Sequence, residues 1–409
     1  MKAGFAETDI TPPVGTHKIG WLEDIVSGSV LDPLFARAAV FESEGSSAAV
    51  IQLDVLCVTG SLASRIREGV GKEHGFPGSR IMVAATHNHA GPAVANVGDV
   101  RRDERYTEWM IGRIVSVFGR ALASASEVEL GRGRAFDFSI SHNRRVVMRD
   151  GTVRTHGSLN DPQVLHIEGP IDPEVGVVAA RGKDGNLLGM LVNFACHPTD
   201  HGGDEVLTAG FPGVLAREMR SSGCPVTMFL NGAAGNISTE RTMEETGRKL
   251  ADCAVRAIEN AVFRGDVAVR CASRRIGLPY REITDEEVRG AARGAQRFID
   301  SAIYDREIPA MVERIRAEGK AMTEVQALFL GDLVMAALPG EIFVQLGLRF
   351  KEEAHPRPAW VVSCANGEVG YVPHREAFAR GGYETTFGPP SFLAPEAGDL
   401  LVSTALDLI

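Results

Sequence analysis

Ala48-Ala49-Val50-Ile51-Gln52-Leu53-Asp54-Val55-Leu56 and, after a helical spacing from about Ser61 to Lys72, Ile81-Met82-Val83-Ala84-Ala85-Thr86-His87-Asn88-His89-Ala90-Gly91-Pro92 are the stretches on which the fold turns. The first run is nearly all apolar and predicts a central strand. Phe76-Pro77-Gly78-Ser79 is a turn, and the second run is a strand that delivers two histidines where Gly-Pro bends the backbone. Strand, helix, strand with polar residues at the carboxyl end of the last strand is an α/β layout, and such ends are where sites form. Alternate side chains of an extended chain share a face, so both imidazoles can point into one site. The His-x-His pair by itself fits two readings. One ring can bind a metal while the other handles protons, or the two can form a hydrogen-bonded pair beneath a loop.

Outward from this unit the pattern stays α/β. Upstream, residues 36 to 58 hold two β-rich runs separated by Glu44-Gly45-Ser46-Ser47, a hairpin. Downstream, Arg105 to Ser124 has helical spacing through Trp109, Ile111, Ile114, Val117 and Leu122. A second hairpin spans Val175 to Phe194 around Lys183-Asp184-Gly185-Asn186. Phe211 to Arg220 and Thr239 to Val262 are predicted helices, with a buried strand at Pro225 to Leu230 between them. Thr284 to Glu287 reads as a capping box opening a charged helical excursion to about Lys320, placed on the outside of the domain or in a dimer contact. Strands return at Thr323 to Leu330, Leu333 to Leu338 and Trp360 to Ser363. No repeat of 20 to 50 residues and no flexible linker stands out. The expectation is one large α/β domain over residues 1–409, with mixed β-sheets flanked by helices.

Composition removes several function classes. The chain has 409 residues, 44% of them hydrophobic, enough for a large buried core. A formal charge of -10 with dispersed basic residues argues against nucleic acid and anionic membranes as partners. Arg101-Arg102, Arg144-Arg145 and Arg274-Arg275 read as solvated surface. Cys57, Cys196, Cys224, Cys253, Cys271 and Cys364 form no CxxC pair and predict reduced thiols. Cys196 adjoins His197, but neighbours in a strand face opposite ways, which disfavours a thiol–imidazole dyad. The amino terminus has no signal-peptide core, and the longest apolar run, Leu333 to Leu348, is broken by Pro339, Gly340, Glu341 and Gln345. These features predict a soluble cytoplasmic protein with a small-molecule substrate, no nucleic acid and no stable membrane insertion. Homo-oligomer formation is left open.

Other strand ends repeat the logic of the first. Asn193-Phe194-Ala195-Cys196-His197-Pro198 delivers a histidine, and Ala336-Ala337-Leu338-Pro339-Gly340-Glu341 delivers a carboxylate. Two histidines and a glutamate are a common catalytic zinc set that leaves a position for water. Glu341 also fits the first turn of a helix from Ile342 to Lys351, where a carboxylate favours the dipole. Asn231-Gly232-Ala233-Ala234-Gly235-Asn236-Ile237-Ser238 follows a buried strand. It lacks a G-K-[ST] ending and a G-x-G-x-x-G, so it reads as a polar substrate clamp, with Ser238 or Thr239 capping the next helix. Asp54 is a candidate for orienting His87 or His89. His201, Asp200 and Asp204 are surplus polar residues that fit a solvated loop or a second metal site.

The series Gly4 to Pro13, Thr86 to Pro92, Asn143-Arg144, Asn231 to Ser238, Pro339-Gly340-Glu341 and Tyr371-Val372-Pro373 resembles the catalytic domain of the neutral/alkaline (non-lysosomal) ceramidases, in the right order over essentially the whole chain. That family consists of zinc amidases that hydrolyse the N-acyl bond of sphingosine. The resemblance implies one zinc ion on His87, His197, Glu341 and Tyr371. It implies His89 as the proton shuttle, Tyr383 beside the oxyanion, and Arg144, Asn236 and Ser238 toward the substrate. The chain departs from the family in having no C-terminal β-sandwich domain and a different stretch from Pro198 to Gly213, which resembles the shorter bacterial relatives. The expectation is a zinc hydrolase cleaving an amide of a small soluble molecule. The alternatives are a metal-dependent lactonase, esterase or phosphoesterase on the same scaffold, and a noncatalytic ligand-binding homologue.

Overall fold

The apolar runs fold into three copies of one module, each a strand, a two-stranded hairpin, a helix, a strand parallel to the second hairpin strand, and a closing helix. The computed structural model describes residues 1–298 and 300–409; Ile299, within the predicted helical excursion, lies outside the described residues. In the first module strand Lys2–Asp9 pairs antiparallel with Phe35–Ser43, which pairs antiparallel with Ser46–Leu53. Helix Gly60–His74 then returns the chain to Ile81–Ala85, parallel to Ser46–Leu53, and helix Glu104–Ala123 closes the unit. The second module repeats this with Ser126–Phe136, the hairpin Glu174–Gly182 and Leu187–Phe194, helix Gly210–Ser221, parallel strand Thr227–Asn231 and helix Met243–Glu259. The third uses Val269–Pro279, Lys320–Leu330, Leu333–Ala337, helix Val344–Glu353, parallel strand Ala359–Val362 and helix Ala397–Leu406.

The first two modules join through Lys2 and Ala3 against Glu127 and Ser126, giving a nine-stranded sheet, and the third forms a four-stranded sheet. One face of each module contributes to a shared core: Val50 and Met82 from the first, Leu191 and Met228 from the second, Met335 and Trp360 from the third. The opposite face of each sheet is covered by that module's own helices. Strands such as Ile81–Ala85 are therefore buried at every position, which is why their sequences run apolar without alternation.

Local signals set the boundaries. Glu44-Gly45 turns the first hairpin with positive φ at both residues, the conformation tight hairpins require. Thr59 caps helix Gly60–His74 and Gly75 ends it in the left-handed region. Helix Met243–Glu259 starts later than predicted. Its cap is Thr242, in a reciprocal box with Glu245, and not Ser238 or Thr239. Ser238 instead pairs in a short ladder with His142.

In each module the chain between the first strand and the hairpin is long, and it leaves from the end at which the parallel strands finish. Residues 10–34, 137–173 and 280–319 fill these places. The third contains the predicted excursion, found as helices Asp285–Arg289 and Ser301–Glu318. The second of these helices packs one face inward and leaves the other exposed. Ile303, Tyr304, Ile308, Met311 and Ile315 are buried against the third module, because the helix carries an apolar stripe that its high charge hides in a composition count.

Close packing of the closing helices depends on two glycines. A Cβ at Gly4 would overlap the Ala121 carbonyl, and one at Gly133 the Ala257 carbonyl. Gly133→Ala is expected to cost ~1–3 kcal/mol by pushing helix Met243–Glu259 off its strand. A denaturant titration showing an unchanged midpoint would refute this.

Candidate metal centre

His87 does not lie in extended chain. The strand stops at Ala85, and His87 has φ +67°, a left-handed conformation uncommon for a residue other than glycine. Such backbone costs ~1–3 kcal/mol and persists only where its surroundings impose it. Asn88 does so: its side chain donates to Thr208 O (2.8 Å) and accepts from Ala90 N (2.9 Å), while its backbone N–H reaches Val55 O (3.1 Å). The two imidazoles still converge, with centroids 4.8 Å apart, but by a left-handed turn and not by strand alternation.

Three modules meet at these rings. His87 comes from the first, His197 from beyond the second hairpin, and Glu341 from beyond the third. The Nε2 atoms of His87 and His197 are 3.0 Å apart, and those of His87 and His89 are 3.2 Å apart. Glu341 Oε2 lies 3.3 Å from His87 Nε2 and 3.5 Å from His197 Nε2. A tetrahedral ion with bonds of ~2.0–2.1 Å holds its donors about 3.3 Å apart, so this spacing suits one small divalent cation. Glu341 Oε2 is also buried without a hydrogen-bond partner, as expected of a ligand atom. Glu341 sits in strand Glu341–Ile342, before helix Val344–Glu353 and not in its first turn.

Hydrogen bonds distinguish the rings. His87 Nδ1 faces Leu56 O at 2.9 Å and His197 Nδ1 faces Ala234 O at 3.2 Å, which places their protons on Nδ1 and their lone pairs on Nε2. His89 Nδ1 lies by Gly20 without a hydrogen bond of ordinary geometry, so its tautomer is not locked. Trp21 packs edge-on to His89 with centroids 5.7 Å apart and shields it from water. Burial holds the His89 and His197 imidazoles well below their usual range, with neighbouring positive charge adding to the effect. Burial works the same way on His87, but Cys364 and Glu341 outweigh it and push that ring well above its usual range.

Tyr371 stands opposite Glu341 in a two-stranded parallel ladder, and its hydroxyl receives an N–H from Arg144 Nη2 at 3.1 Å. Tyr383 packs against Tyr371 and against Phe298 of the third insertion, with centroids at 5.7 and 4.7 Å. Burial pushes both phenols well above their ordinary range.

Arg144 and Arg145 are buried, contrary to the surface reading of that pair, because carboxylates and carbonyls take up their donors. Arg144 donates to Glu384 Oε1 (2.9 Å) and Gly235 O (2.7 Å). Arg145 donates to Glu384 Oε2 (2.9 Å), Glu168 Oε2 (2.6 Å) and Gly381 O (2.9 Å). Thr155 donates to Glu384 Oε2 (2.6 Å) and accepts from the Tyr383 backbone N–H (3.1 Å), so this chain of charges holds the Tyr383 segment in place.

The other expected residues make the following contacts. The Asn236 amide is spent on Gln345 Oε1 and on Val344 N, where it caps the helix that follows Glu341. Ser238 is buried beside the Arg144 strand end. Asp54 does not orient a histidine: it accepts from Arg37, Gln52 and Phe35 N inside the sheet. His201 and Asp204 pair with each other on an exposed loop, and Asp200 accepts from Phe211 N. Among the described residues His87, His89 and His197 form the one cluster of three such side chains suited to a metal.

A pocket of about 390 Å³ reaches the centre at His87 and Glu341. One wall is the excursion helix, through Glu307, Ala310, Met311 and Arg314. Glu368 lines the pocket, its carboxyl pushed up to about 7 by burial, with Glu341 adding to the effect. Sequence patterns alone do not mark Glu368, Glu384, Asn88 or Trp21. Each acts only through contacts with distant segments, though Glu384 adjoins the expected Tyr383 and Asn88 lies between the two histidines.

Comparison with known proteins agrees with this architecture. No protein-family model matches the chain. It is 26% identical over 209 residues to the neutral ceramidase of Pseudomonas aeruginosa, an alignment covering 48% of this chain and 30% of that protein. The crystal structure of neutral ceramidase from Pseudomonas aeruginosa superposes on all of this chain and 73% of that one, with a TM-score of 0.77 at 19% identity. A ceramidase complexed with C2 gives a TM-score of 0.77 at 17% identity, over all of this chain and 74% of that one. The chain therefore has the fold of those enzymes. No described helix is long and apolar enough to cross a membrane.

Proposed function

We propose that this protein is a metal-dependent amidase that hydrolyses the N-acyl bond of a small soluble molecule. The observation that carries the reading is the meeting of His87, His197 and Glu341 at 3.0–3.5 Å, with Glu341 Oε2 buried and unpartnered. These residues, joined by Tyr371, would hold one zinc ion. A divalent zinc ion held there supplies Lewis acidity and lowers the pKa of water toward ~7.

The remaining steps fall to the protein's own groups. His89, whose Nε2 faces the centre, takes a proton from the attacking water and returns it to the leaving nitrogen. Tyr383 donates a hydrogen bond to the carbonyl oxygen as negative charge develops, an interaction worth about 3 kcal/mol when well placed. Arg144 keeps Tyr371 oriented, and Trp21 limits water around His89. Sequence similarity to a neutral ceramidase supports amide chemistry over lactone or phosphate chemistry on this scaffold.

Removal of metal by a chelator should abolish hydrolysis, and zinc should restore it. His89→Ala should keep its zinc while kcat falls ~10²–10⁴-fold. Full turnover after complete metal removal would overturn the metal reading. A substrate panel on which only lactones or phosphate esters are cleaved would overturn the amidase reading.

A further inference from the structure

The left-handed turn that brings His87 and His89 together is held by Asn88, and Asn88 is itself held from outside the centre. Its Nδ2 donates to Thr208 O at 2.8 Å, with a longer contact to Asp54 O at 3.5 Å. The Thr208 backbone N–H returns to Ala90 O at 3.3 Å, so Thr208 and the turn are joined in both directions. Thr208 ends the loop that begins at His197, and the near end of that loop touches the turn as well, where Pro198 O accepts from His89 N at 3.3 Å.

The far end of the loop is fixed by a carboxylate from the first insertion. Thr208 is fully buried, and its hydroxyl donates to Asp32 Oδ2 at 2.5 Å. The other oxygen, Asp32 Oδ1, accepts from Ala209 N at 2.7 Å. Hydrogen bonds to an ionised acceptor are roughly twice as strong as neutral ones, so Asp32 fixes Thr208 more firmly than a neutral side chain would. The Thr208 hydroxyl also accepts from Gly210 N at 3.0 Å, so the same contacts support the start of helix Gly210–Ser221. Capping accounts for that bond but not for the link onward to Asn88. Backbone in the left-handed region at His87 persists only where its surroundings impose it, and this series supplies the constraint.

We propose that Asp32 is a positioning residue for the metal centre: through Thr208 and Asn88 it holds the turn at His87 in the conformation that aims both imidazoles at one point. The inference rests on the metal reading of that centre and not on the identity of the substrate. Zinc affinity by chelator competition and the visible absorption of the cobalt-substituted chain report on the donor set without reference to turnover. Asp32→Ala should weaken zinc binding about tenfold, the lower end of the roughly 10–100-fold loss typical when a group supporting a metal ligand is removed, and should alter the cobalt spectrum. Asp32→Asn keeps an acceptor for Ala209 N and should retain most of the affinity. Thr208→Val removes the hydroxyl but leaves the carbonyl bound by Asn88. It should weaken zinc binding in the same direction, and it carries the test should Asp32→Ala fail to fold. In an Asn88→Ala background, Asp32→Ala should change zinc affinity by less than about twofold, because the series is already broken there.

A lower denaturation midpoint in Asp32→Ala with the zinc affinity and cobalt spectrum of the wild type would make Asp32 a helix cap only and overturn the proposal. A tenfold loss that persists in full in the Asn88→Ala background would overturn it too. A wild-type chain that takes up no zinc overturns the metal reading and this assignment together, whereas equal zinc binding by the wild type and all variants leaves the metal reading standing and removes Asp32 alone.

Discussion

His87→Ala should lose its zinc and at least about 10³-fold in kcat/KM. Removing a group that merely orients a metal ligand typically costs 10–100-fold, and His87 is a proposed ligand, not a support. Its Nε2 lies within 3.3 Å of the nearest atoms of His197, His89 and Glu341, so its loss opens the whole donor set. Alanine keeps a Cβ and does not relieve the left-handed backbone at φ +67°, so His87→Gly, which tolerates that conformation, serves as a second variant. Atomic emission and kinetics on the same preparation decide the matter. Stoichiometric zinc with normal turnover in His87→Ala would remove His87 from the metal set. Set beside His89→Ala, expected to keep zinc and lose turnover, the measurement separates the roles of two histidines that lie equally close to the centre.

Glu384→Ala should lower stability by about 3–5 kcal/mol, the usual result of leaving a buried charge without its partner. Here Arg144 loses its carboxylate, bound at 2.9 Å, while Arg145, also bound to Glu384 at 2.9 Å, keeps Glu168 at 2.6 Å. The same carboxylate predicts an acid-side slope. Burial acts to raise its pKa, but Arg144, Arg145 and the Thr155 hydroxyl outweigh it and hold the group below its ordinary value. A depressed folded pKa contributes stability that is complete above the ordinary glutamate value of ~4.3 and is lost as pH falls through the folded value. Glu384→Gln should flatten that part of the stability curve. Chemical denaturation of both variants from pH 7 down to about pH 3 checks this, because the loss runs below the ordinary glutamate value, and wild-type stability in Glu384→Ala would refute the coupling. Because Thr155 links Glu384 to the Tyr383 backbone, turnover should fall in either variant even where the fold survives.

Much of the site was legible because it follows a rule that sequence can express. Apolar strands end in polar residues, and His87, His197 and Glu341 each stand just beyond such an end. The manner of their meeting was not legible. Alternation in extended chain would bring His87 and His89 to one face, yet the convergence comes from a left-handed turn held by Asn88 and Thr208. Arg144-Arg145 looked like any exposed basic pair, since nothing local to it announces Glu384, about 240 residues away. The 284–320 stretch looked peripheral because its charge outnumbers its apolar stripe.

The sequence by itself determined the α/β class, the strands, most of the helices and the residue types of the candidate metal centre, because periodicity, turn residues and capping boxes act over a few neighbours. Only the tertiary structure decided that the chain is one module used three times. The copies share a pattern of strand order and burial, not residue identities. It also decided that Asn236 caps a helix, that the excursion walls the pocket, and that Asp32 is joined to the histidine turn through Thr208. Those outcomes depend on which distant donors and acceptors are brought together, and burial, which sets their energetic weight, exists only once the modules have closed on their common core.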